Sequence, residues 1–509
     1  MEEITLDVQG MTLEKLVAIA RQGARVRLSR EARRRIAAAR DLVDRWVAEE
    51  QTIYGVTTGF GALSDQTISA SDTRKLQENI LKSHSAGVGR PFDEECVRAF
   101  MALRLKDLAC GHSGIRLETA EALLQLLNAG VTPVVPQQGS VGASGDLAPL
   151  AHLGLVLIGK GEVMYEGERI PGHLAMQQCG LKPLVLASAE GLALVNGTQV
   201  MTGVGALALV DALRLSRLID IAASMSLEVL MGSRTEFNPR IHRVRPHHGQ
   251  IDAAANMDRI VADSEIISSH KDCFRVQDAY TLRCSPQVHG ASRDAMAYVR
   301  QVIETEMNAA TNNPLIFAEE EDFLLGGNFH GQPVALALDF LAIAAAELAN
   351  ISERRVERLV NPKLSGLPAF LVSEGGLNSG FMIAQYTAAS LVSENKVLCH
   401  PAAVDSIPTS ANKEDHVSMG TISARKARDV VHNCEHVVAI ELLCAAQALD
   451  LFTNRRPGVG TLEAYRVIRE TIPHLETDRI LADDIAAMEA LMADGRILAA
   501  VEDAVGPLR

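Results

Sequence analysis

The stretch GSVGASGDLAPLAH, residues 139–152, places small residues around a serine and follows them with an aspartate and a proline. Glycine lets a backbone turn sharply or approach another backbone closely. Such a segment could cradle a phosphate, form a plain surface loop, or fold its own backbone to do chemistry. A phosphate-binding P-loop continues with Gly-Lys-Ser/Thr and a dinucleotide-binding turn contains GxGxxG, and this stretch has neither pattern. The surface loop and the self-folding backbone remain as alternatives.

Seven further blocks carry polar, aromatic and glycine residues of types that could act together. They are YGVTTGFG (54–61), SHSAGVG (83–89), LVNGTQ (194–199), VQDAYTLRCSPQVHG (276–290), NNPL (312–315), GNFHGQP (327–333) and ANKEDHVSMG (411–420). Each block alone fits a loop or a core segment. In this order, together with residues 139–152, they resemble the aromatic amino acid ammonia-lyases, from about residue 53 to about residue 419.

The resemblance implies that Ala143-Ser144-Gly145 cyclises autocatalytically to 4-methylidene-imidazol-5-one (MIO). The Gly145 amide nitrogen would attack the Ala143 carbonyl carbon, and two waters would leave, one of them with the Ser144 hydroxyl. The residue types suit this chemistry, because glycine has the least hindered nitrogen, serine carries the leaving hydroxyl and alanine adds little bulk. The product is a strong electrophile, so we expect an enzyme that needs no external cofactor and no metal.

The resemblance also implies roles in an elimination of ammonia. Tyr280 matches the family's base for the β-proton, although a phenol, with a reference pKa of about 10, is a useful base only where its neighbours lower that value. Arg283 follows one helical turn later and could grip the substrate carboxylate with two hydrogen bonds. Further matches to site residues are Tyr54 (proton transfer or ring orientation), Asn196 (carboxylate or prosthetic carbonyl), Gln277 (a polar contact in the same region) and Phe329 (packing beside the prosthetic ring). The plainer interpretations are a core tyrosine, a surface arginine and a core phenylalanine.

Two positions bear on the substrate. His84, in the pair Ser83-His84, stands where phenylalanine lyases resemble Phe-Leu and tyrosine lyases His-Leu, and Glu414 stands where phenylalanine-type enzymes carry glutamine. A carboxylate beside the ring suits an imidazole N–H and matches a bare phenyl group poorly. These residues predict L-histidine as substrate, with trans-urocanate and ammonia as products. The alternative is a phenylalanine or tyrosine lyase or an aminomutase on the same scaffold, and Lys413, where glutamine is expected, could perturb the charge of Glu414.

The segment His432-Asn-Cys-Glu435-His436 fits the HxxEH pattern of a class of zinc hydrolases. Both histidines would lie on one face of a helix. The match is short, the chain has 15 histidines and 63 acidic residues, and no distinct third-ligand motif follows. A pair of histidines on a helix surface is therefore the favoured interpretation.

The elements that must position these residues are mainly helical. Hydrophobic residues make up 47% of the 509 residues but aromatic residues only 4%, which suits close-packed helices. Apolar spacing predicts helices within 13–47 (joined by GARVRLS), within 94–127 around the break CGHSG, and over 191–231, 294–309, 333–360, 380–398, 423–452 and 460–472. Strand patterns are short, VTPVVP (131–136) and the hairpin-like EVMYEGERI (162–170).

These observations predict a mainly α fold with a long central helical bundle. We expect an N-terminal domain over residues 1–200, with short strands and the MIO loop, and a helical-bundle domain over 201–509. The apolar helices near 333–351 and 380–398 offer more surface than one core would use, and the family forms such a bundle, so we expect a homotetramer. Its active sites would be shared, with Tyr54, His84 and Asn196 from one chain, Tyr280 and Arg283 from another, and Glu414 from a third.

The charge and cysteine content exclude several classes of function. A net charge of −14 argues against a nucleic-acid partner, which would need a basic patch. The eight cysteines are scattered without CxxC pairs, which suits a reducing cytoplasm. The acidic start MEEITLDVQG is unlike a signal peptide. The most apolar stretch, 333–351, is interrupted by Asp339 and Glu347, which favours a buried helix over a membrane span.

Overall fold

A computed structural model describes residues 3–53, 55–56, 58, 70–270 and 276–509. The predicted fold class, mainly α with a few short strands, is confirmed. The helices are α1 (Leu13–Arg21), α2 (Arg30–Ala48), α3 (Ala70–His84), α4 (Glu94–Ala109), α5 (Leu117–Asn128), α6 (Leu147–Leu157), α7 (Gly172–Gln178), α8 (Glu190–Val195), α9 (Gln199–Val229), α10 (Pro239–Arg243), α11 (His248–Ile260), α12 (Glu265–Ser268), α13 (Tyr280–Arg283), α14 (Ser285–Glu306), α15 (Gln332–Val360), α16 (Pro362–Ser365), α17 (Met382–Leu398), α18 (Gly420–Leu449), α19 (Val459–Thr471), α20 (Leu481–Ala493) and α21 (Arg496–Val505).

The strands form four small sheets within the described residues. They are β1 (Ile4–Leu6), β2 (Val26–Leu28), β3 (Val88–Pro91), β4 (Thr132–Pro133), β5 (Pro136–Gln138), β6 (Glu162–Tyr165), β7 (Glu168–Pro171), β8 (Leu315–Phe317) and β9 (Asp322–Leu324). The pairs are β1 with β2 in parallel, and β3 with β5, β4 with β6, β6 with β7 and β8 with β9 in antiparallel. The predicted hairpin is confirmed, and its turn residues Glu166 and Gly167 both have positive φ, as a tight hairpin turn requires.

Three sequence predictions differ from the structure in detail. The stretch 131–136 is split between β4 and β5, because its prolines lack the N–H that would continue a ladder. The predicted helix 191–231 is two helices, α8 and α9, interrupted where Asn196 is extended and Gly197 has a φ of +141°. The linker GARVRLS contains strand β2. The helices that were not predicted are α3, α6, α7, α10, α11, α12, α16, α20 and α21.

The chain forms two compact units. The first unit comprises Met1–Ala208, Arg300–Asp339 and Pro401–Arg425, and the second comprises Leu209–Val299, Phe340–His400 and Lys426–Arg509. The domain division after residue 200 stays a prediction.

Helix α15 contains the most apolar stretch of the sequence. Among the described residues it is the one helix long and apolar enough to cross a membrane, and 67% of its most apolar window is buried inside the protein. One face of the helix, with Leu338, Leu341 and Ala345, is fully buried, whereas Leu336 and Phe340 are exposed. The prediction of a buried helix is confirmed for most of this surface.

Charged side chains are buried in the second unit. Arg355 and Glu441 are both fully buried and form two hydrogen bonds, of 2.5 Å from Nε and 2.9 Å from Nη2. Ser226 and Ser352 also donate to the Glu441 carboxylate, at 2.7 and 2.6 Å. Because each charge has lost its water, the stability of the pair depends on these partners.

We expect Glu441→Gln to lower the free energy of unfolding by about 3–5 kcal/mol, because Arg355 keeps its charge without a counterion. The matched control is Glu463→Gln, whose partner Arg466 is largely exposed, and there we expect a loss of about 0–1 kcal/mol. Thermal unfolding of both variants at one protein concentration measures the difference. Equal shifts would contradict the assignment of stability to the buried pair.

Candidate active site

The Ala143-Ser144-Gly145 tripeptide lies in a tight turn of the first unit, between β5 and α6. Gly145 has a φ of +76°, and a Cβ on this residue would lie 2.1 Å from the carbonyl oxygen of Gly197. The Asp146 amide donates to that oxygen at 2.7 Å, and the Gly197 amide donates to the Ser144 carbonyl at 3.3 Å. Ala143 is buried, with 6% of its surface exposed. The stretch is therefore a compressed, half-buried turn and not a plain surface loop.

The Ser144 hydroxyl points to a carboxylate. It donates to Oε1 of Glu414 at 3.3 Å, and the Thr409 hydroxyl donates to Oε2 at 3.0 Å. Lys413 is exposed, and among the described residues no hydrogen bond joins it to this carboxylate. The serine that would lose its hydroxyl thus lies beside the residue expected to read the substrate ring.

His84 ends α3 in the same unit and is half-buried. Burial lowers its pKa, while a backbone hydrogen bond with Ile80 and the charge of Glu414 act in the opposite direction. Ser83 Oγ lies 3.0 Å from His84 Nδ1. Because Ser144, His84 and Glu414 interact within one chain, the expectation that Glu414 comes from a separate chain is wrong.

Asp146 is a buried carboxylate that the sequence reasoning did not single out. It accepts the amides of Val200 and Met201, both at 2.9 Å, at the start of α9, and the Thr421 hydroxyl at 2.5 Å. Burial raises its pKa to about 6 against the effect of these donors. A negative group at a helix N-terminus is favourable, so Asp146 ties the turn to α9. Its position directly after the tripeptide is the sequence feature that could have identified Asp146 as part of the site.

The segment 417–421 holds the other side of the turn. The amide of Met419 donates to the Val141 carbonyl at 2.9 Å, and the Ser418 hydroxyl donates to the Gly142 carbonyl at 3.2 Å. A Cβ on Gly142 would lie 2.2 Å from the Ser418 oxygen. The block ANKEDHVSMG therefore supplies both Glu414 and part of the wall of the turn.

Asn196 and Phe329 also lie in the first unit. Asn196 is 3% exposed, and its side-chain Nδ2 donates to the Asn313 carbonyl at 3.1 Å. Its Oδ1 is buried and has no hydrogen-bond partner among the described residues. Phe329 is half-buried and so is not a simple core phenylalanine.

The structure places Tyr280 and Arg283 in the second unit, on the single turn α13. The guanidinium carbon of Arg283 lies 4.6 Å from the centre of the Tyr280 ring. Tyr280 is 70% exposed and is not a core tyrosine. The Nε of Arg283 is buried and unpaired within the described residues. Gln277 and Arg283 line a cavity of about 640 Å³ in this unit. Tyr54 lies outside the described residues.

The histidines of the HxxEH pattern lie on α18 and contact carboxylates. His432 Nδ1 lies 3.2 Å from Glu435, which also contacts Arg214 at 2.5 Å, and His436 contacts Glu489. In the part of the chain that the structure describes, no group of three or more His, Cys, Asp or Glu side chains is arranged to hold a metal ion. These contacts agree with the helix-surface interpretation.

Comparison with known proteins identifies the family. Residues 11–470 match the family model described as "Aromatic amino acid lyase". The chain is 55% identical, over 505 residues and 99% of each sequence, to a histidine ammonia-lyase of Alkaliphilus oremlandii. It superposes on the crystal structure of histidine ammonia-lyase from Trypanosoma cruzi with a TM-score of 0.92 and 46% identity, covering 99% of this chain and 96% of that one. A tyrosine aminomutase from Streptomyces globisporus gives a TM-score of 0.93 at 39% identity, with both chains fully covered. Matches of this extent show that the chain belongs to the aromatic amino acid lyase family.

Proposed function

We propose that this protein eliminates ammonia from L-histidine to give trans-urocanate, using MIO formed from its own Ala143-Ser144-Gly145. The observation that carries the proposal is the hydrogen bond from the Ser144 hydroxyl to Glu414. It lies in a turn whose position 145 has room only for glycine. The curated relatives that are more than half identical along the whole chain are named histidine ammonia-lyases, which supports histidine as the substrate.

The residues around the tripeptide fit such a prosthetic group. Gly145 has a positive φ and lies against the backbone of Gly197, where a side chain would not fit, and Ala143 is shielded from solvent. The Oδ1 of Asn196 is buried beside Gly197 and has no hydrogen-bond partner among the described residues. It could accept a hydrogen bond from the prosthetic group or from the substrate. When formed, MIO supplies an electrophilic carbon for the substrate amine and so makes ammonia a better leaving group.

The side chains of the protein would bind the substrate and move its proton. The fork of Arg283, with one buried nitrogen unpaired among the described residues, binds the substrate carboxylate with two hydrogen bonds. The phenol of Tyr280, held by the guanidinium that covers its ring, takes the β-proton. Because the site holds the base and the substrate in the geometry for proton transfer, little translational and rotational entropy is lost in the reaction step itself.

His84 and Glu414 would select the substrate ring. An imidazole can donate one N–H to the Glu414 carboxylate and hydrogen-bond to His84 through its other nitrogen. A phenyl ring offers neither of these hydrogen bonds, and a site built on half-buried polar groups binds such a ring poorly. The alternative, an aminomutase on this scaffold, is favoured by the likeness to the tyrosine aminomutase and opposed by these two side chains.

Self-association would complete the site. On α17 the side chains of Ile383, Tyr386 and Val397 are 56%, 61% and 68% exposed, and their spacing puts them on one face. An apolar stripe of this kind marks a protein–protein contact. We infer a homotetramer in which Tyr280 and Arg283 of one chain serve the tripeptide of another. The seven described cysteines are all free thiols, which supports a cytoplasmic location.

The intact mass of the purified protein is expected to be lower than the encoded mass by two waters. Ser144→Ala removes the leaving hydroxyl, so it should restore the full mass and reduce turnover by on the order of 10⁶-fold, as loss of a covalent catalytic group does elsewhere. Dialysis against a chelator should leave the unmodified enzyme fully active. Full encoded mass in an active wild-type enzyme, or activity that returns only with added zinc, would overturn this proposal.

Release of ammonia from L-histidine, followed by the ultraviolet absorbance of urocanate, should exceed that from L-phenylalanine or L-tyrosine by on the order of 10⁴-fold. The double variant His84→Phe with Glu414→Gln should lose histidine turnover and gain turnover of phenylalanine, because neither new side chain is left as an unpaired charge. Cinnamate, coumarate or a β-amino acid as main product of the wild-type enzyme would refute the substrate and favour the alternative.

Shared active sites can be tested by mixing two inactive variants, Tyr280→Phe and Glu414→Gln. After co-expression or subunit exchange, some sites receive both intact residues from different chains and should regain part of the activity. Each variant mixed with itself is the control. Light scattering that shows a fully active monomer, or mixing without any recovery despite exchange, would contradict the shared site.

A further inference from the structure

A fully buried ion pair lies behind the tripeptide in the first unit. Arg104 and Asp107 are one turn apart on α4, and their side chains are 0% and 1% exposed. The Nη2 of Arg104 donates to Oδ2 of Asp107 at 2.8 Å. Burial lowers the pKa of Arg104, and the charges of Asp107 and Asp146 act in the opposite direction. Such a pair is favourable only when its other donors and acceptors are also satisfied.

Arg104 uses Nη1 on the chain break that precedes α9, whereas its buried Nε has no hydrogen-bond partner among the described residues. Its Nη1 donates to the carbonyl oxygens of Ala193, at 3.1 Å, and Asn196, at 2.7 Å. A Cβ on Gly197 would lie 2.8 Å from Nη2 of Arg104. The guanidinium therefore packs directly behind the backbone that contacts Gly145.

Asp107 uses its acceptors on a different segment of the same unit. Its Oδ1 accepts the amide of Thr311 at 2.8 Å, and its Oδ2 accepts the amide side chain of Asn312 at 2.6 Å. The next carbonyl, of Asn313, accepts the side chain of Asn196 at 3.1 Å. The ion pair thus fixes Asn196 twice, through its backbone carbonyl and through the partner of its side chain.

We propose that Arg104 and Asp107 are positioning residues for Asn196 and for the contact between Gly197 and Gly145. Neither side chain touches the tripeptide, and both act through the segments that they hold. Closure of the Ala143-Ser144-Gly145 ring and the orientation of the Asn196 amide both depend on this pair. The inference rests on the proposed function and adds two residues that no motif of the family resemblance contains.

The test compares Arg104→Lys and Asp107→Asn with wild type. Lysine keeps the charge but cannot reach both carbonyls and Asp107, and asparagine keeps the shape but loses one acceptor. Each variant is measured by circular dichroism, by the fraction of chains that are lighter by two waters, and by kcat and KM for L-histidine. We expect folded proteins in which the lighter fraction falls and kcat decreases by on the order of 100-fold, while KM changes little.

Arg98→Lys is the matched control. Arg98 lies on the same helix, is partly buried and donates to the carbonyls of Ile19 and Leu127, away from the tripeptide. Its replacement should lower the melting temperature and leave the lighter fraction and kcat unchanged. Asn312→Ala removes one donor to Asp107 and leaves both members of the ion pair in place. If Arg104→Lys and Asp107→Asn do not fold, the lighter fraction and kcat of Asn312→Ala test the inference instead.

The outcomes separate this inference from the proposed function. A wild-type protein that is not lighter by two waters refutes the proposed function. If the wild-type protein is lighter by two waters and the variants of Arg104 and Asp107 have the same lighter fraction and kcat as Arg98→Lys, only the positioning role is overturned.

Discussion

The close contact between Gly145 and Gly197 is the constraint on which the first unit is organised. A Cβ on Gly145 would lie 2.1 Å from the Gly197 carbonyl oxygen, and a Cβ on Gly197 would lie 2.4 Å from Gln199. A side chain at Gly145 would push the two backbones apart, and one at Gly197 would collide with the side chains of Gln199 and Arg104. Ordering glycine in so restricted a place costs more chain entropy than ordering other residues. Such a turn keeps one conformation only where its surroundings hold it in place.

Those surroundings are polar and directional. Asp146 binds two amides at the start of α9, Thr421 binds Asp146, and Arg104 binds the carbonyl of Asn196. Apolar packing alone would tolerate small shifts of the turn, because it has no preferred direction. Buried hydrogen bonds do not tolerate such shifts, since each broken one leaves a desolvated group unpaired. The unit therefore holds a tight turn with hydrogen bonds that depend on its exact position.

The sequence predicted most of the long helices and the β6–β7 hairpin because periodicity and turn chemistry are local, but it missed α3, α6 and α11. It could not predict the break at Asn196, since the apolar spacing continues across it and only the contact with Gly145 explains it. Arg104 was equally hidden, because an arginine in a helical pattern is most often a surface charge. The signal that could have found it is the apolar surrounding in FMALRLKDLA, residues 100–109, where three charges interrupt a helix that is buried almost all round. Family blocks gave the candidate site, yet they could not show that Glu414 reaches Ser144 within one chain.

The second unit presents the opposite physical situation. Tyr280 is 70% exposed and Val276, at the start of the same block, is 96% exposed. A phenol that removes a weakly acidic proton works poorly in open water, because water weakens each charge interaction that would help it. The apolar stripe on α17 has the same need to be covered. In the proposed homotetramer, contact with other chains would cover the stripe and remove water from Tyr280. Catalysis and assembly of the proposed enzyme would then both depend on the removal of water from this unit.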